Sequence, residues 1–202
     1  MQTTRRSQAV NQCEQRAIAD SRQQPRTSPL PDGFVNSGLY VLLIRLTAPV
    51  RLRVGALGRI QLAPGWYQYT GSARRNLRQR VVRHLSARKR RRWHIDYLTS
   101  AGAARPLGAL LVSGQDAAEC ALNQTVGSLV GHAAPAPRFG ASDCRAGCPA
   151  HLWYSSREVT FASLVRRHSR SQRKRNGAST NAYFTLEHAS TQASTILRGE
   201  NP

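Results

Sequence analysis

The sequence predicts a small α+β domain in the middle of the chain, an antiparallel or mixed sheet of about three core strands flanked by helices. Three observations carry this. Aliphatic and aromatic runs of strand length, "GLYVLLIRL" and "WYQYTG", are interleaved with segments patterned at helical spacing. The links between them are short, which suits antiparallel pairs better than parallel ones. The two flanks are polar and too poor in apolar residues to build a core.

Residues 1–35 are rich in Gln, Ser, Arg and Pro and read as a disordered or loosely attached segment. Residues 36–163 form the domain. Residues 164–202 are polar and basic, with Arg166, Arg167, Arg170, Arg173, Lys174 and Arg175 close together, and read as a disordered tail. Within the domain, "GLYVLLIRL" has the composition of a buried strand. Pro49 interrupts it, and "VRLRV" then alternates apolar and basic as a half-exposed strand does. "GRIQLAPGWYQYTG" holds two further β-like pieces divided by the Pro64-Gly65 turn pair. A Thr-Gly-Ser turn follows and feeds a helix over 77–87, whose apolar stripe is Leu77, Val81, Val82 and Leu85. At roughly 100° per residue, Arg80 and His84 stand one turn apart beside that stripe. "WHIDYLTSA" predicts a short helix and "PLGALLVSG" a buried strand. "DAAECALNQTVGSLVG" predicts a helix in which Asp116 is the N-cap and Glu119 closes a capping box. The segment from Ala134 onward is a loop that ends in a short strand near Trp153.

The chain of 202 residues carries a net charge of +20 and a pI near 11.5. That excess points to a polyanion, nucleic acid before an anionic membrane surface. Arginine supplies 28 of the 30 basic residues. A GC-rich genome accounts for much of that bias, but arginine grips phosphate with a planar fork whatever its origin. No apolar run approaches the roughly 18 residues of a membrane span, and the N-terminus lacks a signal-peptide stretch. Four cysteines are too few for a disulfide scaffold at this length, so a reducing, cytoplasmic compartment is expected.

Residues 74–92 contain Arg74, Arg75, Arg78, Arg80, Arg83, Arg88, Lys89, Arg90, Arg91 and Arg92 and no acid. A solvated helix face normally mixes signs, so this run predicts contact with nucleic acid. Acids are scarce: between Gly38 and Tyr154 they are Asp96, Asp116, Glu119 and Asp143. Mg²⁺ or Mn²⁺ wants carboxylate oxygen, and Glu119 is one candidate, its alternative role being the helix cap. Cys144, Cys148 and His151 offer three zinc-type ligands, with a fourth to come from His132, Cys120, His94 or Asp143. The alternative is a set of unligated thiols. His94 and Asp96 do not share a helix face, and His94 reads as structural. Tyr40 and Tyr69, taken singly, read as strand packing residues.

Taken in order, these pieces are more specific. "GLY" on the first strand, "YTGSA" on a later one, the Arg80/His84 pair on the next helix and Glu119 on a later helix resemble the GIY-YIG nuclease family over residues 38–125. The wider string "VGALG…GWYQYTGSA…RH…WHIDYL…EC…FGASDC…HLWY" is similar to its standalone DUF123 or Uri group and extends the resemblance to Tyr154. The resemblance implies a single-metal phosphodiester hydrolase on a three-stranded antiparallel sheet. In it Tyr40 is the general base or water-orienting hydroxyl, and Tyr69 positions the scissile phosphate or assists the base. Arg80 stabilises charge on the phosphate, His84 assists, and Glu119 ligates Mg²⁺ or Mn²⁺. Leu39 and Thr70 replace the isoleucines of the family tripeptides, and the long gap from Tyr40 to Tyr69 implies an inserted hairpin at about 50–63. The link from Tyr69 to Arg80 is one residue longer than usual. Asn123 is a candidate for the asparagine that some members place near the metal, and Asn76 for a helix N-cap. The leading expectation is a metal-dependent endonuclease acting on DNA. The alternatives are a nucleic-acid-binding module with little or no cutting activity, and a small zinc-binding interaction protein.

Overall fold

A computed structural model of the protein describes residues 34–113, 118–129, 133–176 and 183–187. Asp116, His132 and all but the last two residues of the expected N-terminal segment lie outside these.

Five strands form one antiparallel sheet in the order β6-β4-β1-β5-β7. They are β1 (Gly38–Leu46), β4 (Gly65–Ala73), β5 (Ala104–Ser113), β6 (Leu152–Ser155) and β7 (Tyr183–Glu187). The expected three-strand core is β4-β1-β5, and β6 and β7 extend its edges. The inserted hairpin is present as a separate two-stranded sheet of β2 (Val50–Val54) and β3 (Gly58–Leu62). The helices are α1 (Leu77–Leu85), α2 (His94–Thr99), α3 (Glu119–Gly127) and α4 (Phe161–Asn176).

The uninterrupted apolar run of β1 has a physical reason: the sheet is a middle layer, covered on both faces. Tyr40, Leu42, Ile44 and Leu46 pack with Leu77, Val81 and Leu85 of α1 and Ile95 and Leu98 of α2. The alternate residues Leu39, Val41 and Leu43 pack with Leu122 and Val126 of α3 and Leu164 and Val165 of α4. Each such aliphatic side chain, fully buried, contributes roughly 1.5–3 kcal/mol.

Four sequence expectations change. The tail begins as a helix, not as disorder. Phe161, Leu164, Val165 and His168 make a helical stripe that covers the second face of the sheet, with His168 buried. Thr70, Gly71 and Ser72 continue β4, so the turn falls at Arg74-Arg75-Asn76. α1 ends at Leu85, before Ser86 in extended backbone. Finally, α3 starts at Glu119 after Ala118, so Glu119 is the first helical residue and not the third. Asn76 is the N-cap of α1 but makes no side-chain cap bond; Asn36 supplies it, its Oδ1 accepting the Arg78 N–H at 2.9 Å. Among the described residues no helix is long and apolar enough to cross a membrane.

Candidate functional site

Tyr40, Tyr69, Arg80, His84 and Glu119 come from two strands and two helices far apart in sequence, yet they line one cleft of about 430 Å³. Ser72, Arg92 and Asp143 line it too.

Tyr40 sits opposite Gly71 in the β1–β4 register. A Cβ at Gly71 would fall 2.4 Å from the Tyr40 ring, so only glycine lets the ring lie across β4. The Tyr40 hydroxyl is 3.1 Å from His84 Nε2. His84 Nδ1 is 3.2 Å from Asp96 Oδ1. Asp96 is fully buried and also receives both arms of Arg83 at 3.0 Å, with the N–H groups of Arg92 at 2.9 Å and Trp93 at 3.1 Å. Burial alone would raise the Asp96 pKa, but the bonds from His84, Arg83 and the two N–H groups hold it well below the carboxylate range. An ionised carboxylate only accepts, so the ring proton of His84 belongs on Nδ1, and Nε2 accepts from the Tyr40 hydroxyl. Burial lowers the His84 pKa more than Asp96 raises it, which keeps the ring neutral. Burial likewise pushes the Tyr40 and Tyr69 phenols well above their ordinary value, with each other's charge or that of Glu119 adding to it.

Glu119, at the start of α3, accepts the Ser72 hydroxyl on Oε2. Its Oε1 lies 2.8 Å from His151 Nδ1, an ion-pair distance, although the two are not aligned as a hydrogen bond. Burial would raise its pKa, but His151 and Ser72 hold it below the ordinary value. Tyr69 is wedged against Phe139, edge to face with centroids 6.3 Å apart, and a Cβ at Gly140 would strike it at 2.6 Å. Trp93 forms a platform: the guanidinium carbons of Arg80 and Arg83 lie 5.0 and 4.5 Å from its ring centroid.

The basic run divides. Arg74, Arg75, Arg88, Arg90, Arg91 and Arg92 are exposed and Arg78 is half-buried. Arg83 and Lys89, expected at a nucleic-acid surface, are turned inward. Arg83 clamps Asp96. Lys89 Nζ is buried and donates to His84 O at 2.5 Å and Thr99 Oγ1 at 2.6 Å, and burial brings its pKa down to about 8.

A second cluster lies next to the cleft. One ligand atom from each of Cys120, Cys144, Cys148 and His151 lies within 4.8 Å of the others, a set that could hold a metal ion. Cys120 is the fourth candidate ligand, one that sequence spacing could not choose. Its Sγ is 3.5 Å from Cys144 Sγ. The backbone N–H of Cys148, then Cys120 and the N–H of Ala146, outweigh burial and bring the Cys144 thiol pKa down to about 6. Burial pushes Cys120 up to about 12. Burial lowers His151, but its contacts with Glu119 and the two cysteines outweigh this and hold it at about 9.

Asn123 does not reach the cleft. Its amide donates to Ala150 O and accepts from Trp153 Nε1, both at 2.8 Å, clamping α3 to the segment that carries His151. His94 is a cleft residue as well as a structural one, its Nδ1 accepting the Gly140 N–H at 3.0 Å. Asp96 and Ser72 are the site residues that sequence reasoning missed. The signal for Asp96 was available: an acid three residues after Trp93 at a helix start reaches back to free N–H groups, as Asp96 does.

The fold and cleft define a class: a small α+β protein whose central antiparallel sheet gathers two phenols, a neutral imidazole, a carboxylate and the guanidinium groups of Arg80 and Arg92 in one cleft. Residues 39–176 match the family described as domain of unknown function DUF123, and the chain belongs to that family. No curated protein and no solved structure matches it.

Proposed function

We propose that the protein is a divalent-metal-dependent endonuclease that hydrolyses DNA phosphodiester bonds, as the GIY-YIG nucleases its motifs resemble do. The observation that supports this best is the meeting of Tyr40, Tyr69, Arg80, His84 and Glu119 in one cleft, with Tyr40 bonded to a neutral histidine. A buried phenol does not ionise at neutral pH unaided. His84 Nε2 removes that obstacle: as Tyr40 takes a proton from the attacking water, its own passes to His84, and Asp96 balances the imidazolium. Arg80, held over Trp93, offsets charge on the phosphate, and the Tyr69 hydroxyl orients it.

The residues fit Mg²⁺ or Mn²⁺, which bind through one or two carboxylates and complete their shell with water and phosphate oxygen. Glu119 is one such carboxylate and Asp143 lines the same space. Such an ion, when bound, polarises the phosphate and acidifies water. The soft Cys/His cluster suits zinc instead. The exposed arginines of 74–92 supply sequence-independent affinity for the backbone of DNA.

A nucleic-acid-binding module with little or no cutting is the second reading. One observation favours it: both oxygens of Glu119 already have partners, Ser72 and His151. A plasmid-nicking assay in Mg²⁺ or Mn²⁺ separates the two. Metal-dependent nicking by the wild type, lost in Glu119→Ala and Tyr40→Phe, is the expected result. Binding without nicking on plasmid and branched DNA, equal in all three proteins, would replace the nuclease with the binding module.

A further inference from the structure

Glu119 and Cys120 are consecutive at the start of α3, so one helix end presents a carboxylate to the cleft and a thiol to the cluster. His151 stands between the two. Its Nδ1 lies 2.8 Å from Glu119 Oε1. In a side chain only 5% exposed, neither ring nitrogen makes an aligned hydrogen bond among the described residues, and Nδ1 is the one at ion-pair distance from Glu119. With Nδ1 turned to Glu119, Nε2 is the nitrogen left for the three sulfurs.

The backbone on either side of His151 is pinned. Its N–H donates to Phe139 O at 2.8 Å, its carbonyl accepts the Thr70 N–H at 3.0 Å, and Asn123 holds Ala150 O at 2.8 Å. The preceding loop is closed by the Arg138 N–H on Pro149 O at 2.7 Å and bends at Gly147, whose φ of 71° favours glycine. That bend folds Cys144 and Cys148 back toward Cys120. A tetrahedral zinc with bonds of about 2.3 Å needs its sulfurs about 3.8 Å apart. The 3.5 Å between Cys120 and Cys144 is close to that spacing.

We propose that His151 is a positioning residue that couples a zinc centre to the cleft. Zinc on Nε2 would leave the ring proton on Nδ1, and a small turn of the ring would align that N–H, already 2.8 Å from Oε1, with Glu119 and fix the carboxylate for the divalent ion of the cleft. The coupling rests on the reading of Glu119 as ligand to that ion. A metal-bound histidine normally gives its second N–H to a carboxylate, and loss of such a partner typically weakens a metal site by roughly 10–100-fold. Here the carboxylate is itself a ligand, so the chain of contacts links a soft site to a hard one.

The test uses the full chain, purified under reducing conditions without added zinc. Zinc per chain is measured by elemental analysis and Mn²⁺ affinity by electron paramagnetic resonance titration. The wild type is expected to hold one zinc and bind Mn²⁺. Cys148→Ser should lose zinc and weaken Mn²⁺ by about 10–100-fold. His151→Cys, which offers four thiolates, should keep zinc yet weaken Mn²⁺ to the same degree. Stripping zinc from the wild type with a chelator and restoring it should lower and then recover Mn²⁺ affinity, a comparison that does not depend on any variant folding. Zinc-free wild type, a Cys120–Cys144 disulfide in its place, or unchanged Mn²⁺ affinity in stripped protein and in zinc-loaded His151→Cys would each overturn the coupling. Zinc-loaded wild type with no Mn²⁺ site would instead mark failure of the nuclease reading, and the coupling would fall with it.

Discussion

The cleft and the cysteine cluster meet at two consecutive residues, Glu119 and Cys120, but they are built differently. The cleft is assembled from β1, β4, α1 and the first turns of α2 and α3, and its polar groups hold one another: Tyr40 on His84, His84 on Asp96, Asp96 on Arg83. The cluster hangs mostly from a loop, and among the described residues its sulfurs face each other, His151 and two backbone N–H groups. The first is preorganised by hydrogen bonds. The second lacks internal partners strong enough to hold three soft groups together, which is the condition that a metal ion relieves. A reacting site gains from the first kind of construction and a structural metal site from the second.

The comparison breaks most sharply at Glu119. Glu119→Gln should lower metal-dependent nicking by at least about 10²–10³-fold; zinc stays bound because its four ligands remain, although its affinity falls by up to roughly 10–100-fold as His151 loses its carboxylate partner. Tyr40→Phe should cost roughly 10²–10⁴-fold in rate, with a stability loss of only about 1–3 kcal/mol from the unpaired His84 acceptor, read by denaturant titration. Asp96→Asn acts on both. It removes one partner of a buried ion pair, so a loss of roughly 3–5 kcal/mol in stability is expected. A fall in rate that exceeds the drop in folded fraction would show that Asp96 orients His84 as well as holding the fold.

The pH dependence sharpens the same contrast. A histidine depressed by burial stabilises the fold above its unfolded pKa of about 6.5, and that contribution is lost as pH falls from there through the folded value. The acid limb of the cleavage profile should therefore lie below about 6.5. In Asp96→Asn the limb should move lower still, because Asp96 raises the His84 pKa. Gly71→Ala, which drives a methyl to 2.4 Å from the Tyr40 ring, should destabilise by about 1–3 kcal/mol and slow cleavage without changing zinc content. The smallest effect belongs to the exposed basic run: Arg90→Ala should weaken DNA binding and reduce the salt slope by about one, with the cleft intact.

The central part of this architecture was legible in the sequence because local pattern and final environment agree there. "GLYVLLIRL" is buried on both faces, the 50–63 hairpin alternates, and α1 carries its stripe where the 3.6-residue period puts it. Disagreement arose where charge hid a weak stripe. In α4 the arginines outnumber the four residues that bury it, so composition reads as tail while spacing reads as helix. The cleft was half legible. Tyr40, Tyr69, Arg80, His84 and Glu119 follow motif order, whereas Asp96 reaches His84 only through the packing of α1 against α2, a contact that spacing along one helix does not encode. Cys120 was hidden for the same reason: it lies 24 residues from Cys144 in sequence and 3.5 Å away in space.

The most direct test of the account is a single experiment on wild type and Glu119→Gln. Plasmid nicking in Mg²⁺ is followed while zinc is determined on the same preparations. Both proteins should hold zinc, and only the wild type should nick. Zinc-loaded wild type that binds plasmid and branched DNA yet leaves both uncut would contradict it.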